Sequence, residues 1–136
     1  MSGLARGTFE VKLQSMAFEG AEPRWKLGRS SIDKRISGDL VATTRGQMIS
    51  AMTDTKGSAG YVAIEWVTGT LAGKRGSFVL QHNGIMTRGV PSLTVVVVPD
   101  SGTDGLAGLE GEFRIIVEGG RHGYEFSYRL PAVAKA

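Results

Sequence analysis

The chain has 136 residues, enough for one domain with its own core, and 20 of them are Gly against only 4 Pro. That is about twice the usual glycine share, which speaks against helical bundles, while the missing G-x-y period excludes collagen and 41% hydrophobic residues argue against disorder. A balance of 16 basic to 13 acidic residues gives a formal charge of +3, and the absence of Cys rules out disulfides, a thiol nucleophile and a thiolate metal site.

Alternation begins early in the chain. Phe9, Val11 and Leu13 share one face of an extended segment over Thr8–Leu13, with Glu10 and Lys12 on the other. After a loop at Gly20–Pro23, residues Trp25–Ile36 read as a second strand, closed by a turn at Ser37-Gly38-Asp39. Leu40–Met52 is β-compatible, with a bulge or hairpin turn expected at Arg45-Gly46, and Asp54–Ser58 is a turn. Tyr61–Thr70 is a strand rich in aromatic and β-branched residues. The Gly69–Gly76 glycine cluster turns it into a return strand, Ser77–His82, which is expected to stop at Asn83-Gly84. Ser92–Val98 is followed by a Pro- and Gly-rich loop. Gly111–Glu118 and His122–Leu130 then pair through Gly119-Gly120, leaving an unpatterned tail over 131–136.

About eight strands at regular spacing, with no helical pattern between them, predict an all-β fold. The simplest arrangement is an eight-stranded antiparallel up-and-down barrel, in one domain with its core over about 6–130; a two-sheet sandwich is the alternative. Several central strands are apolar on both faces. Val62, Ile64 and Trp66 back onto Tyr61, Ala63 and Val67, which predicts an outer face covered by a terminal segment or a second subunit, most simply in a homodimer.

The longest apolar run, Val95–Val98, is far short of the ~20 residues of a membrane span, and the N-terminus shows no signal-peptide pattern, so a soluble cytoplasmic protein is expected. The basic cluster Arg24, Lys26, Arg29, Lys34 and Arg35 has only Trp25 interleaved. It reads as a solvated strand face rather than a nucleic-acid surface. No phosphate loop is present, Ser101-Gly102-Thr103 lacks the strand-to-helix setting of a nucleophile elbow, and two isolated His make a metal site improbable; no cofactor is implied.

Few residues carry chemistry. Glu65 is the sole charge between Gly57 and Leu71; turned inward, it would have its pKa raised by desolvation and could serve as general acid or base, unless a basic neighbour pairs with it. Lys34 is that neighbour if strand alternation carries it toward Glu65. Gln81 and His82 face opposite sides of their strand, so only one can line a lumen; His82 is a proton-transfer candidate and either could orient a substrate oxygen. His122, Tyr124, Phe126 and Tyr128 form an aromatic stripe, either packed core or the wall of a ligand pocket, and Tyr61 joins them as a ligand-lining candidate.

Several motifs together resemble a known family. Gly60-Tyr61-Val62-Ala63-Ile64-Glu65, Val67–Gly73, Gly76–His82, Val97-Val98-Pro99 with Ser101-Gly102-Thr103, and His122–Phe126 are similar to segments of small bacterial proteins of unknown function. Asp33-Lys34 and Ser37–Leu40 fit the same pattern, and the similarity runs from Gly7 to Leu130. In this chain Asp100 follows Val-Pro where Gly is expected, and Trp66 replaces a more usual basic residue. The resemblance implies a barrel like that of allene oxide cyclase, whose relatives include cyclases and isomerases of apolar small molecules.

Two expectations follow. One is a barrel that binds a small apolar molecule, with isomerase or cyclase chemistry on it, which needs Glu65 in an open cavity with a raised pKa. The other is a filled, non-catalytic oligomeric module, which needs Glu65 paired to Lys34 or an Arg and no void of about 300 Å³.

Overall fold

A computed structural model describes residues 1–20 and 26–131. Eight strands run in order around a closed antiparallel barrel in which β8 pairs back onto β1. They are β1 (Ser2–Met16), β2 (Lys26–Gly38), β3 (Leu40–Met52), β4 (Ala59–Leu71), β5 (Lys74–Thr87), β6 (Val90–Val97), β7 (Glu110–Glu118) and β8 (Arg121–Arg129). Closure rules out the two-sheet sandwich. Arg24 and Trp25 of the basic cluster, and the tail from 132 onward, lie outside the described residues.

Two expected breaks are continuous strand. Arg45-Gly46 lies in the middle of β3, where Gly46 stands directly opposite Glu65. A β-carbon there would fall 2.3 Å from the Ile64 carbonyl oxygen, so the glycine serves close strand approach rather than a turn. Asn83-Gly84 likewise continues β5, and the reversal comes at Arg88-Gly89, both with positive φ. Positive φ also marks the Ala72-Gly73 and Gly119-Gly120 hairpin turns, as tight two-residue reversals require.

The two ends of the barrel differ. One is filled: Leu40, Leu71, Phe78 and Phe126 pack there with Leu106 and Leu109, which the loop after β6 and its short 3-10 turn (Asp104–Leu106) carry inward. Phe78 stacks on Phe126 with centroids 5.8 Å apart, and Phe113 on Tyr124 at 4.9 Å. Toward the other end the long strands β2–β5 continue, and the core gives way to polar and half-exposed side chains. Here the wall is also thinnest, because β6 and β7 pair at a single position, Val96 opposite Glu112.

The outer wall divides by chemistry. Across β1–β3, Glu10 stands opposite Arg35, and Lys12 and Arg45 both stand opposite Asp33, a ladder of alternating charge. Across β4 the outward side chains are Val62, Ile64 and Trp66, and each is about half exposed, at 54%, 51% and 55%.

Candidate functional site

Five polar side chains meet inside the barrel. Lys34 of β2, Thr44 of β3, Glu65 of β4 and His82 of β5 are all buried, and Tyr61 lies on the same face of β4 as Glu65 with Ala63 between them. Their strands are consecutive neighbours, so alternation and register alone bring them together. Glu65 is at the centre. Its Oε1 accepts from Lys34 Nζ at 3.2 Å and lies 2.8 Å from His82 Nε2, while Oε2 accepts from Thr44 Oγ1 at 2.6 Å. The Lys34 ammonium also sits 4.8 Å from the centroid of Phe9, a cation–π contact that helps offset its burial.

The expected rise in the Glu65 pKa does not occur. Burial does push its carboxyl up, but the hydrogen bond from His82, the Lys34 charge and the hydrogen bond from Thr44 together outweigh that and hold it below the ordinary glutamate range. Glu65 is thus an ionised, fully buried anion with its acceptor sites occupied. It meets the condition set for a paired structural carboxylate, not that for a proton-transfer group open to a ligand.

The void, however, is present. A pocket of about 320 Å³ opens at the unfilled end, lined by Met48, Ser50, Met52, Tyr61, Gly84, Met86, Pro91 and Leu93 among others. Tyr61 belongs to both places. Its ring forms part of the pocket wall, and its hydroxyl lies 3.5 Å from His82 Nδ1, the far side of the ring that contacts Glu65. Burial, and then the Glu65 charge, push the Tyr61 phenol up, so it is a neutral hydroxyl rather than a phenolate.

The other candidates separate. Gln81 faces outward and borders a surface cleft with Ile64 and Val62, so His82 is the residue of that pair inside the barrel. Tyr124 and Phe126 are packed into the core; Tyr124 Oη accepts from Leu40 N at 3.0 Å and donates to Ser37 O at 2.9 Å, a structural bond with no cavity beside it. Tyr128 packs on Phe126 at the filled end. His122 lies apart as well, its ring 5.2 Å from Phe9 in a cleft between β1 and the tip of the β7–β8 hairpin. The aromatic stripe is therefore core along most of its length, because β8 runs from the open side to the filled end.

Sequence reasoning passed over Thr44, Met48, Met86, Leu93 and Gly84. Thr44 lies in alternation with Ala42 on β3, but its meeting with Glu65 depends on a register that pattern alone does not specify. Among the described residues no group of three or more His, Cys, Asp or Glu converges as a metal site, and no helix is long and apolar enough to cross a membrane.

Comparison with known proteins gives a family and no activity. Residues 5–128 match the model of DUF3224, described as a protein of unknown function, and the chain belongs to that family. It is similar to a crystal structure of a DUF3224 protein of unknown function from Shewanella oneidensis MR-1, with 48% identity, a TM-score of 0.91, and coverage of 98% of this chain and 100% of that one. No curated protein matches the chain.

Proposed function

We propose that this DUF3224 barrel binds a small, largely apolar molecule at its open end and anchors the molecule's one polar group on the Tyr61 hydroxyl. The observation that carries this reading is the double placement of Tyr61, in the wall of the 320 Å³ pocket and at the end of the Glu65–His82 chain. The volume is at the lower edge of small-ligand sites, and a mostly apolar lining with few convergent polar groups is their usual chemistry. Glu65 and His82 act as positioning residues: they fix Tyr61 from behind and do not reach the ligand. The lowered Glu65 pKa and its full set of partners weigh against acid–base isomerisation through that carboxylate, so binding rather than turnover is the favoured role. The test is a titration with the apolar fluorophore 1-methoxynaphthalene. Saturable one-to-one binding that Leu93→Trp weakens about tenfold or more supports the reading; absence of saturation by both this probe and 1-naphthol overturns it.

We further propose that a second copy of the chain covers the outer face of β4. Ile49, Val62, Ile64, Trp66, Ile85 and Val96 lie outward on neighbouring strands and are each roughly half exposed. Together they present roughly 500 Å² of apolar surface, the upper end of what monomers expose and well over half of the ~800 Å² that each partner of a standard interface buries. None of the six is charged; the nearest charges on that face are Arg45, which stands opposite Trp66, and Arg29.

A further inference from the structure

We infer that the pocket selects molecules that donate a hydrogen bond to Tyr61 Oη, such as alcohols and phenols, over molecules of the same shape that can only accept one. The inference rests on the binding reading above and concerns the polarity of its anchor.

The argument follows the hydrogens along the chain from Glu65. Its ionised carboxylate carries no hydrogen, so each of its contacts must be donated to it. Lys34 and Thr44 supply two of these, and the 2.8 Å contact to His82 requires a hydrogen on Nε2. With Lys34 as the cation and Glu65 as the anion, a neutral imidazole leaves the buried cluster without net charge, which is the inexpensive arrangement where water is excluded. A neutral imidazole holds one hydrogen only, so Nδ1 is a bare acceptor. Tyr61 Oη lies 3.5 Å from that nitrogen, and with this tautomer the phenol hydrogen is the one that can bridge them.

What Tyr61 then offers the pocket is oxygen lone pairs. A ligand hydroxyl completes the relay, with its hydrogen on Tyr61 Oη, that of Tyr61 on Nδ1 and that of Nε2 on Glu65. A ligand with a bare ether or carbonyl oxygen meets lone pairs with lone pairs, or requires Tyr61 to abandon His82. Lys34 and Thr44 support this from the far side, since they hold Glu65 in the ionised form that can only accept from the ring. Ser50 Oγ and Ser92 Oγ, the other hydroxyls in the lining, can rotate either way and impose no such polarity.

The test compares 1-naphthol with 1-methoxynaphthalene, two probes with one apolar body, the first able to donate and the second only to accept. Fluorescence titration of the full chain is expected to give naphthol about tenfold tighter binding, the value of one net hydrogen bond. Tyr61→Phe is expected to bring the two within twofold by weakening naphthol alone, and Ser50→Ala to leave the preference standing. Equal saturable affinity for both probes in the wild type overturns this inference and leaves the binding reading in place. So does a preference for the ether, or a preference that survives Tyr61→Phe. Failure of both probes to saturate overturns the binding reading and this inference with it.

Discussion

Gly84 lies directly beneath the ring of Tyr61: a β-carbon at position 84 would fall 2.3 Å from Tyr61 Cε1. The two residues face each other across β4 and β5, and the missing side chain lets the ring settle between the pocket and His82. The backbone of Gly84 is not among the positive-φ positions, so Ala fits the strand and only the ring must move. Gly84→Ala is therefore expected to weaken probe binding about tenfold or more, with the far-ultraviolet circular dichroism spectrum of the strands retained.

Glu65 is expected to be the most sensitive single polar position. Glu65→Gln keeps the shape but leaves Lys34 buried without its anion, and removing one partner of a buried pair typically costs about 3–5 kcal/mol. Thr44→Val removes one hydrogen bond to the same carboxylate and is expected to cost about 1–3 kcal/mol. Urea unfolding of the three proteins measures both, and a Glu65→Gln loss smaller than that of Thr44→Val would contradict the assignment of Glu65 as the hub.

The same carboxyl gives stability a pH dependence of known sign. Its pKa is lower folded than unfolded, so its contribution is fully present above the unfolded value, about 4.3, and is lost as pH falls toward and through the folded one. Wild type and Glu65→Gln should differ most near neutrality and converge in acid. Denaturation midpoints taken across that range check this, and a gap that widens toward low pH refutes it.

Tyr124 separates structure from binding. Its hydroxyl satisfies the buried Leu40 amide, so Tyr124→Phe is expected to lower stability by about 1–3 kcal/mol while 1-methoxynaphthalene titrates as it does on the wild type. A weakened titration at equal folded fraction would return the aromatic stripe to the ligand site.

Trp66→Glu tests the outer face. Light scattering at micromolar concentration should give about twice the chain mass for the wild type and a monomer mass for the variant, since the substitution would bury two like charges against each other across the twofold axis. A monomeric wild type removes the proposal.

Much of this architecture was legible before the structure, and the failures have physical causes. Eight strands, and the opposite facing of Gln81 and His82, follow from period-two alternation, a local property; which of the two turns inward with Glu65 is set by how the barrel closes. Two glycines misled: Arg45-Gly46 and Asn83-Gly84 carry turn chemistry, yet both glycines make room for a neighbouring strand, a demand set by side chains many residues away. The Glu65 environment misled in the same manner. Burial does raise the carboxyl, as expected of an inward Glu65, but three donors on three other strands outweigh it, and those depend on register.

The single rung between β6 and β7 gives the barrel a seam. Every other adjacent pair is zipped over seven or more positions, so opening elsewhere would break a ladder, whereas parting Val96 from Glu112 breaks one rung. Leu93 and Pro91 stand in the pocket wall on the β6 side of that seam. On the binding reading, a guest bulkier than the resting volume is expected to be admitted by spreading β6 from β7, while the Glu65 cluster, anchored on β2–β5, stays where it is.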